Sequence, residues 1–272
     1  MAMLSDAATA QRARLEQAGF FHRRGRVFSC ELEDYTVDVL LRPARQLVVC
    51  FDHAGMAENN PRRTRPGWGF GFVRDRTDKA GIFVKPTRSH WFRPPGLRDL
   101  CDRLADAGVF QGYDSVMAYG GSMGGYAALA YADAFRADRV LAMNPQATLS
   151  SVLVPWETRF PQGRAQEWDS FPQSAAQGCR TPARVVVAFD RRCAEDAAHV
   201  DLLDIPGRID LNIPFVGHGI PYHLRKMGLL ERLFEDVAEG RFDIAEWRRL
   251  VRARRDLDDY KARIAARGPL AV

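Results

Sequence analysis

The sequence contains few cysteines and no recognisable motif for binding a metal ion, a nucleotide or another cofactor. Its five cysteines are scattered along 272 residues, and no two of them form a C-x-x-C pair. This spacing gives no sign of a disulfide framework or a zinc site. Asp52 and His53 are adjacent residues of types that bind metal ions, but no third ligand follows at a suitable spacing. We therefore expect a protein that works without a metal ion or cofactor.

Long hydrophobic runs are absent as well. Residues 1–26 contain no apolar stretch as long as that of a signal peptide, and no run in the chain has the length needed to span a bilayer. These absences predict a cytoplasmic protein that has no membrane partner.

The chain is moderately basic, with a formal net charge of +5. Residues 241–267 account for most of the excess, with nine Lys and Arg against five Asp and Glu. No nucleic-acid recognition motif accompanies this charge, so a solvated face is predicted and a nucleic-acid partner is not. A second basic stretch runs from Arg62 to Lys79. It is interpreted as a solvated loop, with a pocket entrance that favours anionic substrates as the alternative.

Composition and periodicity together predict a single α/β domain over residues 1–272. The apolar content of 46% is that of an ordinary globular protein. Short apolar runs alternate with helical patterns, which indicates a mostly parallel central sheet with helices on both faces. The predicted strands cover residues 26–31, 36–41, 47–51, 81–84, 139–143, 184–189 and 209–216 and a run that begins at 115, and the predicted helices cover residues 95–107 and 221–237.

Residues 146–180 form a connection with no clean period. They contain several aromatic residues, among them Trp156, Phe160 and Trp168. The segment is interpreted either as a small lid-like insertion that walls a pocket or as an irregular connection that merely packs.

The C-terminal segment, residues 241–268, is predicted to be helical. Leu250, Leu257 and Ile264 recur in it every seven residues, which is the spacing of a coiled-coil seam. Because the run is shorter than four heptads, docking on its own domain is favoured over a homodimer interface, and both remain open.

The stretch that says most about function lies between residues 115 and 126. A short apolar run ends in Gly120-Gly121-Ser122-Met123-Gly124-Gly125, and a helix-forming run follows. This is G-x-S-x-G between a strand and a helix, the pattern of a nucleophile elbow, in which a strained turn exposes the serine hydroxyl at the sheet edge. The two flanking glycines let strand and helix pass closely. The N–H of Met123, at the start of the helix, is expected to face a developing oxyanion.

On this motif the chain resembles the α/β-hydrolase superfamily, over about residues 25 to 240. The resemblance implies a catalytic triad in the chain order serine, acid, histidine, with each member at the C-terminal edge of a strand. Ser122 is then the nucleophile. His218, which follows the predicted strand 209–216, is the expected base, and His223 in the next helix is a weaker rival.

Two aspartates compete for the role of triad acid. Asp190 directly ends the apolar run 185–189 and is preferred. Asp196 lies a few residues further on, where many hydrolases of this type carry the acid, and its alternative role is to cap the following helix. The second oxyanion donor normally comes from the loop after the third strand, which makes Ala54 the candidate.

The resemblance implies a serine hydrolase that cleaves a carboxylic ester of a small molecule through an acyl-enzyme intermediate. Two alternatives remain open. One is an acyltransferase that uses the same triad, with a hydroxyl or thiol in place of water. The other is a catalytically silent hydrolase fold used for binding or assembly, which the basic C-terminal segment motivates.

Overall fold

The computed structural model describes residues 21–24, 27–59, 62, 64–170 and 172–266, together with residues 9, 10, 13, 16 and 19. A mixed sheet of nine strands runs through this part of the chain. The strands are β1 (His22–Arg24), β2 (Val27–Glu31), β3 (Tyr35–Leu40), β4 (Gln46–Phe51), β5 (Lys79–Pro86), β6 (Ser115–Gly121), β7 (Arg139–Met143), β8 (Arg184–Phe189) and β9 (Ile209–Asn212).

Helices and single helical turns connect these strands. They are α1 (Ala54–Asn59), α2 (Phe70–Arg74), α3 (Gly96–Asp106), α4 (Met123–Ala130), α5 (Pro161–Arg164), α6 (Ala194–Asp201), α7 (Ile220–Lys226), α8 (Leu230–Ala238), α9 (Ile244–Leu250) and α10 (Asp258–Ala265), with 3₁₀ turns at Ala175–Gly178 and Val251–Asp256. Among the described residues, no helix combines the length and apolarity that crossing a membrane requires.

The central strands are buried on both faces because their side chains point alternately into two separate cores. In β4, Leu47, Val49 and Phe51 belong to the core that also contains the apolar faces of α3 and α4. Val48 and Cys50 point into the opposite core, against α7, α8 and α9. This two-sided burial explains why the strand appears in the sequence as a continuous apolar run.

The strand order places a crevice beside β4. The order is β1-β2-β3-β5-β4-β6-β7-β8-β9, with parallel pairing from β5 to β9 and antiparallel pairing from β1 to β5. The chain therefore leaves β4 toward one side for β5 and continues on the other side with β6. At such a reversal the loops after two neighbouring parallel strands diverge, which opens a crevice at their carboxyl ends.

The helix predicted over 221–237 is interrupted in the structure. Gly228 adopts a positive φ of 70° between α7 and α8. A glycine in this left-handed conformation ends a helix at little cost, so the apolar period continues across two helices. The strand predicted over 209–216 is also shorter, since β9 ends at Asn212.

The single C-terminal helix predicted over 241–268 is likewise corrected. The described residues form α9, a 3₁₀ turn and α10, and Leu257 between the last two has an extended backbone. Leu250, Leu257 and Ile264 therefore do not share one straight helix face, and the heptad reading fails. Trp247 of α9 is instead fully buried in the domain's own core. Residues 267 and 268 lie outside the described residues.

Residues 146–180 are mostly irregular and pack closely against the domain. Leu149 and Trp168 are buried in the core. The Trp168 ring lies 5.5 Å from that of Tyr126 in α4, and Arg93 donates a 3.0 Å hydrogen bond to the Ser170 carbonyl. The segment is thus packed against the domain, and a lid role for it stays a prediction.

Candidate active site

The residues around Ser122 form a tight turn between β6 and α4. Ser122 has a φ of 53° and a ψ of −120°, a conformation that costs a non-glycine residue on the order of 1–3 kcal/mol. Its N–H donates to the Met143 carbonyl at 2.9 Å, and its own carbonyl accepts from Tyr126 N–H at 2.9 Å. A Cβ added at Gly124 would lie 2.4 Å from the Phe51 carbonyl oxygen, so this close crossing requires glycine.

Ser122 lies in hydrogen-bond contact with His218, which in turn contacts Asp196. The Oγ of Ser122 is 2.9 Å from Nε2 of His218. The Nδ1 of His218 is 2.8 and 2.9 Å from the two carboxylate oxygens of Asp196. Three elements supply these groups: the β6–α4 turn, the loop before α7, and the first turn of α6.

Asp190, the preferred acid of the sequence prediction, is directed elsewhere. One of its oxygens accepts hydrogen bonds from the backbone N–H groups of Val216 and Gly217, at 2.9 and 2.7 Å. The other accepts from Arg192 N–H at 2.8 Å. The preference for Asp190 is therefore corrected: this carboxylate shapes the loop that carries His218, whereas Asp196 touches the imidazole.

Asp196 is buried and ionised. Burial raises the pKa of its carboxyl group, but the hydrogen bond and charge of His218 and those of Arg159 outweigh burial and leave the pKa below its usual value. The start of α6 adds to this effect, because the helix macrodipole favours negative charge in the first turn. A carboxylate held in this way orients an imidazole and stabilises its cation.

A pocket of about 440 Å³ opens above Ser122 at the carboxyl ends of β4 and β6. Its wall is largely apolar, and Ser122 and His218 both contribute to it. The pocket is lined by His53, Ala54, Gly55, Trp68, Gly121, Ser122, Asn144, Phe160, His218, Gly219, Pro221, Tyr222 and Arg225.

The two expected oxyanion donors are the first residues of two helices. Ala54 begins α1 and lines the pocket, and Met123 begins α4 directly after Ser122. The first N–H groups of a helix have no acceptor within that helix, and they carry its positive dipole end. Both residues are thus compatible with the predicted role, which remains a prediction.

Solved structures of similar shape identify the fold. They include the capsule O-acetyltransferase of Neisseria meningitidis serogroup A, at a TM-score of 0.57 and 10% identity, over 82% of this chain and 99% of that one. They also include Pyrococcus horikoshii acylaminoacyl peptidase, at a TM-score of 0.51 and 12% identity, over 86% of this chain and 45% of the peptidase. This chain has an α/β-hydrolase fold.

A third solved structure with a similar fold is the Gap123 glycosylation-associated complex of Streptococcus agalactiae. Its TM-score is 0.50 at 14% identity, over 73% of this chain and 43% of that one. No protein-family model matches the sequence, and no curated protein matches it. The similarity therefore concerns the α/β-hydrolase fold alone.

Within this hydrolase fold, Asn144 is a site residue that the sequence analysis missed. It directly follows β7, has a φ of 38°, and places Nδ2 3.0 Å from Nε2 of His218. Its Oδ1 is buried and has no hydrogen-bond partner. Turning the amide by 180° exchanges the two atoms, and Oδ1 then accepts a hydrogen bond from a protonated His218. The signal in the sequence is an asparagine at the carboxyl end of a central strand.

The basic stretch from Arg62 to Lys79 is largely paired with acidic residues. Arg65 pairs with the buried Asp52. Arg76 lies 2.5 Å from Glu231, and Lys79 lies 2.8 Å from Glu235. Because these three side chains are paired within the protein, they do not support a pocket entrance that attracts anionic substrates. Asp52 is the ion-pair partner of Arg65. Among the described residues lining the pocket, Arg225 is the one lysine or arginine.

The rival base His223 points away from Ser122. Its Nδ1 lies 2.8 Å from the Gly219 carbonyl oxygen, and its Nε2 lies 3.4 Å from Asp259. His53 lines the pocket, and burial together with the charge of Arg65 lowers the pKa of its imidazole. It therefore presents a neutral ring to the pocket at neutral pH.

Proposed function

We propose that this protein is a serine hydrolase that cleaves a carboxylic ester of a small molecule through an acyl-enzyme intermediate. The proposal rests on two consecutive contacts: Ser122 Oγ lies 2.9 Å from His218 Nε2, and His218 Nδ1 lies 2.8 Å from Asp196. A hydroxyl next to an imidazole that a buried carboxylate orients is an activated nucleophile.

In the first half of the reaction, Ser122 Oγ attacks the ester carbonyl carbon and its proton passes to Nε2 of His218. Asp196 stabilises the resulting imidazolium. The carbonyl oxygen becomes an oxyanion, which the N–H groups of Met123 and Ala54 stabilise. The tetrahedral intermediate then collapses, the alcohol leaves with the proton from His218, and the acyl group stays on Ser122.

In the second half, His218 takes a proton from a water molecule that attacks the acyl-enzyme. The carboxylic acid leaves and the Ser122 hydroxyl is restored. Water reaches the site, since the His218 side chain is 32% exposed. Of the described residues in segment 146–180, Phe160 alone lines the pocket, so that segment does not enclose it. This openness favours hydrolysis over transfer in a dry site.

The pocket composition also suggests a substrate class. Its wall is largely apolar, and Arg225 is exposed at α7 with no ion pair among the described residues. We expect Arg225 to favour esters that carry a negatively charged group. Arg225→Leu should then lower kcat/KM about tenfold for a hemisuccinate ester and little for a neutral ester of equal length. Arg225→Lys should retain most of the preference, because it keeps the charge.

The test of the proposal is covalent labelling with a fluorophosphonate probe, followed by intact mass and peptide mapping. We expect wild type and Ser151→Ala to be labelled once, at Ser122, and Ser122→Ala to stay unlabelled. Ser151 is an exposed serine outside the site, which makes its variant the matched control. A folded wild-type protein that neither labels nor hydrolyses short-chain esters contradicts the proposal and favours a silent hydrolase fold.

Acyl transfer uses the same triad and differs only in the acceptor. The O-acetyltransferase of similar fold has been solved with CoA bound, so acetyl-CoA belongs beside nitrophenyl esters as an acyl donor in the assay. The reaction is run with and without a sugar as the acyl acceptor, and the products are then separated. Free acid as the main product supports the hydrolase, whereas an acylated sugar as the main product shows a transferase.

A further inference from the structure

A second set of charged side chains lies directly behind Asp196. Glu157 and His199 are fully buried and 3.0 Å apart, and Arg159 is 27% exposed. Arg159 donates to Glu157 through Nη2 at 2.6 Å and through Nε at 3.1 Å. Its Nη1 donates to the Asp196 oxygen Oδ1 at 2.8 Å. One guanidinium thus bridges two buried carboxylates, and one of these contacts His218.

The protonation of His199 follows from its neighbours. Its Nδ1 accepts a hydrogen bond from the backbone N–H of Ala147 at 3.3 Å, so the ring proton is on Nε2 and points at Glu157. His199 therefore donates from Nε2 to Glu157, which is ionised. Burial raises the pKa of Glu157, but the hydrogen bonds from His199 and Arg159 have the larger, opposite effect and lower the pKa to about 2.

The charge of Arg159 is shared between its two carboxylate partners. Burial alone disfavours the guanidinium, but the hydrogen bonds and charges of Glu157 and Asp196 raise its pKa, so it is always protonated. The Asp196 oxygen that it binds is also 2.8 Å from Nδ1 of His218. Arg159 and His218 therefore compete for the same negative charge.

We propose that Arg159 is a positioning residue: it fixes the Asp196 carboxylate against His218, and its charge sets the pH at which the His218–Asp196 pair takes up a proton. This inference rests on the proposed function, since the pair matters because it activates Ser122. It also gives segment 146–180 a defined part in the site, because Glu157 and Arg159 both belong to it.

The sign of the effect follows from electrostatics. A positive charge beside a titrating pair disfavours the uptake of a further proton. Replacing Arg159 by an uncharged residue should move the titration of the pair to higher pH. Replacing Glu157 by Gln leaves the Arg159 charge less compensated, which should move it to lower pH.

Other charged and titratable groups belong to the elements around this pair, and they are the same in every variant compared. One of these groups is the Cys193 thiol, which is neutral because burial raises its pKa to about 11. The others are Glu195 near Cys193, His199 on α6, Asp190 behind the loop, His53 and Arg225 in the pocket, and Arg263 beside Gly217.

The test compares wild type, Arg159→Gln, Arg159→Lys and Glu157→Gln by NMR titration of ¹³C-labelled histidine. The signal of His218 is identified among those of the six histidines by its absence from a His218→Gln variant. We expect the His218 titration midpoint to rise by about one pH unit in Arg159→Gln, equal to a tenfold change in proton affinity. It should stay near that of wild type in Arg159→Lys and fall in Glu157→Gln. Gln at 159 keeps amide donors, and thermal unfolding checks that each variant is folded.

Arg164→Gln is the matched control, because it removes the same charge from the same segment. The Arg164 guanidinium donates to the Val154 carbonyl at 2.9 Å instead of to Asp196. The His218 titration midpoint in Arg164→Gln should equal that in wild type. Equal midpoints in Arg159→Gln and Arg164→Gln, or shifts of the same sign in Arg159→Gln and Glu157→Gln, overturn the proposal.

The pH dependence of fluorophosphonate labelling links the titration to reactivity. The acid limb of the labelling rate should move with the NMR midpoint in each variant. Because the NMR readout does not require a reaction, it tests the role of Arg159 even if Ser122 is never labelled. Absence of labelling in wild type counts against the proposed hydrolase, whereas unmoved midpoints count against Arg159 alone.

Discussion

At the scale of single residues, the backbone around Ser122 depends on glycine. Gly124→Ala places a Cβ 2.4 Å from the Phe51 carbonyl oxygen, which cannot move without disturbing β4. We expect this variant to lose more than about 3 kcal/mol of the free energy of unfolding, measured in urea. Gly71→Ala is the control, since nothing lies within 4 Å of its added Cβ, and it should change stability by less than about 1 kcal/mol. Similar losses in both would contradict the steric argument.

The two aspartates of the site should separate by function. Asp196→Asn removes the charge that stabilises the His218 cation, and the labelling rate of Ser122 should fall about 10³–10⁴-fold with little loss of fold. Asp190→Asn weakens the hold on the N–H groups of Val216 and Gly217. It should lower the unfolding temperature, while the folded protein keeps most of its labelling rate. Equal losses of labelling would leave Asp190 as a second candidate acid.

Sequence reasoning could reach Ser122 and His218 but not the choice between these aspartates. Ser122 is carried by a local pattern of glycines between a strand and a helix, and His218 by the end of the last apolar run. The acid depends on where α6 starts and which way its first turn faces, which the strand pattern does not encode. Arg159 contacts Asp196, and Asn144 contacts His218, through contacts between distant segments, and no local period records such contacts.

At the scale of elements, α9 holds the C-terminal segment on the domain. Trp247 is fully buried and its Nε1 donates to Asp236 at 3.0 Å. We expect Trp247→Ala to cost about 3–5 kcal/mol in the free energy of unfolding. Ile264→Ala is the control in α10, where Ile264 is 38% exposed, and should cost less than about 1 kcal/mol. A Trp247→Ala variant as stable as Ile264→Ala would show that α9 is loosely attached.

The elements with the strongest periods were the most predictable. Strands β3, β4, β7 and β8 lie within a residue of their predicted bounds, because β4, β7 and β8 are continuous apolar runs and β3 alternates in polarity. The helices at residues 54–59 and 70–74 went unpredicted, since they are one or two turns long within a polar stretch. The seven-residue spacing over 241–268 misled for a physical reason: equal spacing defines one face only within a continuous helix, and this segment is broken by the extended backbone at Leu257.

At the scale of the whole molecule, stability should fall in acid because buried carboxylates must take up protons. The pKa of Glu157 is about 2 when folded, against an ordinary value of 4.5. Its contribution is therefore fully present above about pH 4.5 and is lost as the pH falls toward 2. The pKa of Asp196 is lowered in the same direction. Urea unfolding between pH 6 and pH 3 should show a flatter decline for Glu157→Gln than for wild type, and parallel declines would contradict this assignment.

The hydrogen bond between Ser122 and His218 also has a meaning for folding. It joins residues 96 positions apart, with β7, β8 and β9 between them. Closing so long a loop is entropically costly before its contacts form, so this pair cannot be made locally during folding. A ribosome that has released only the first half of the chain holds Ser122 without His218. Under the proposed function, chemical reactivity at Ser122 therefore reports the completed sheet, and we expect none in any intermediate that lacks β9.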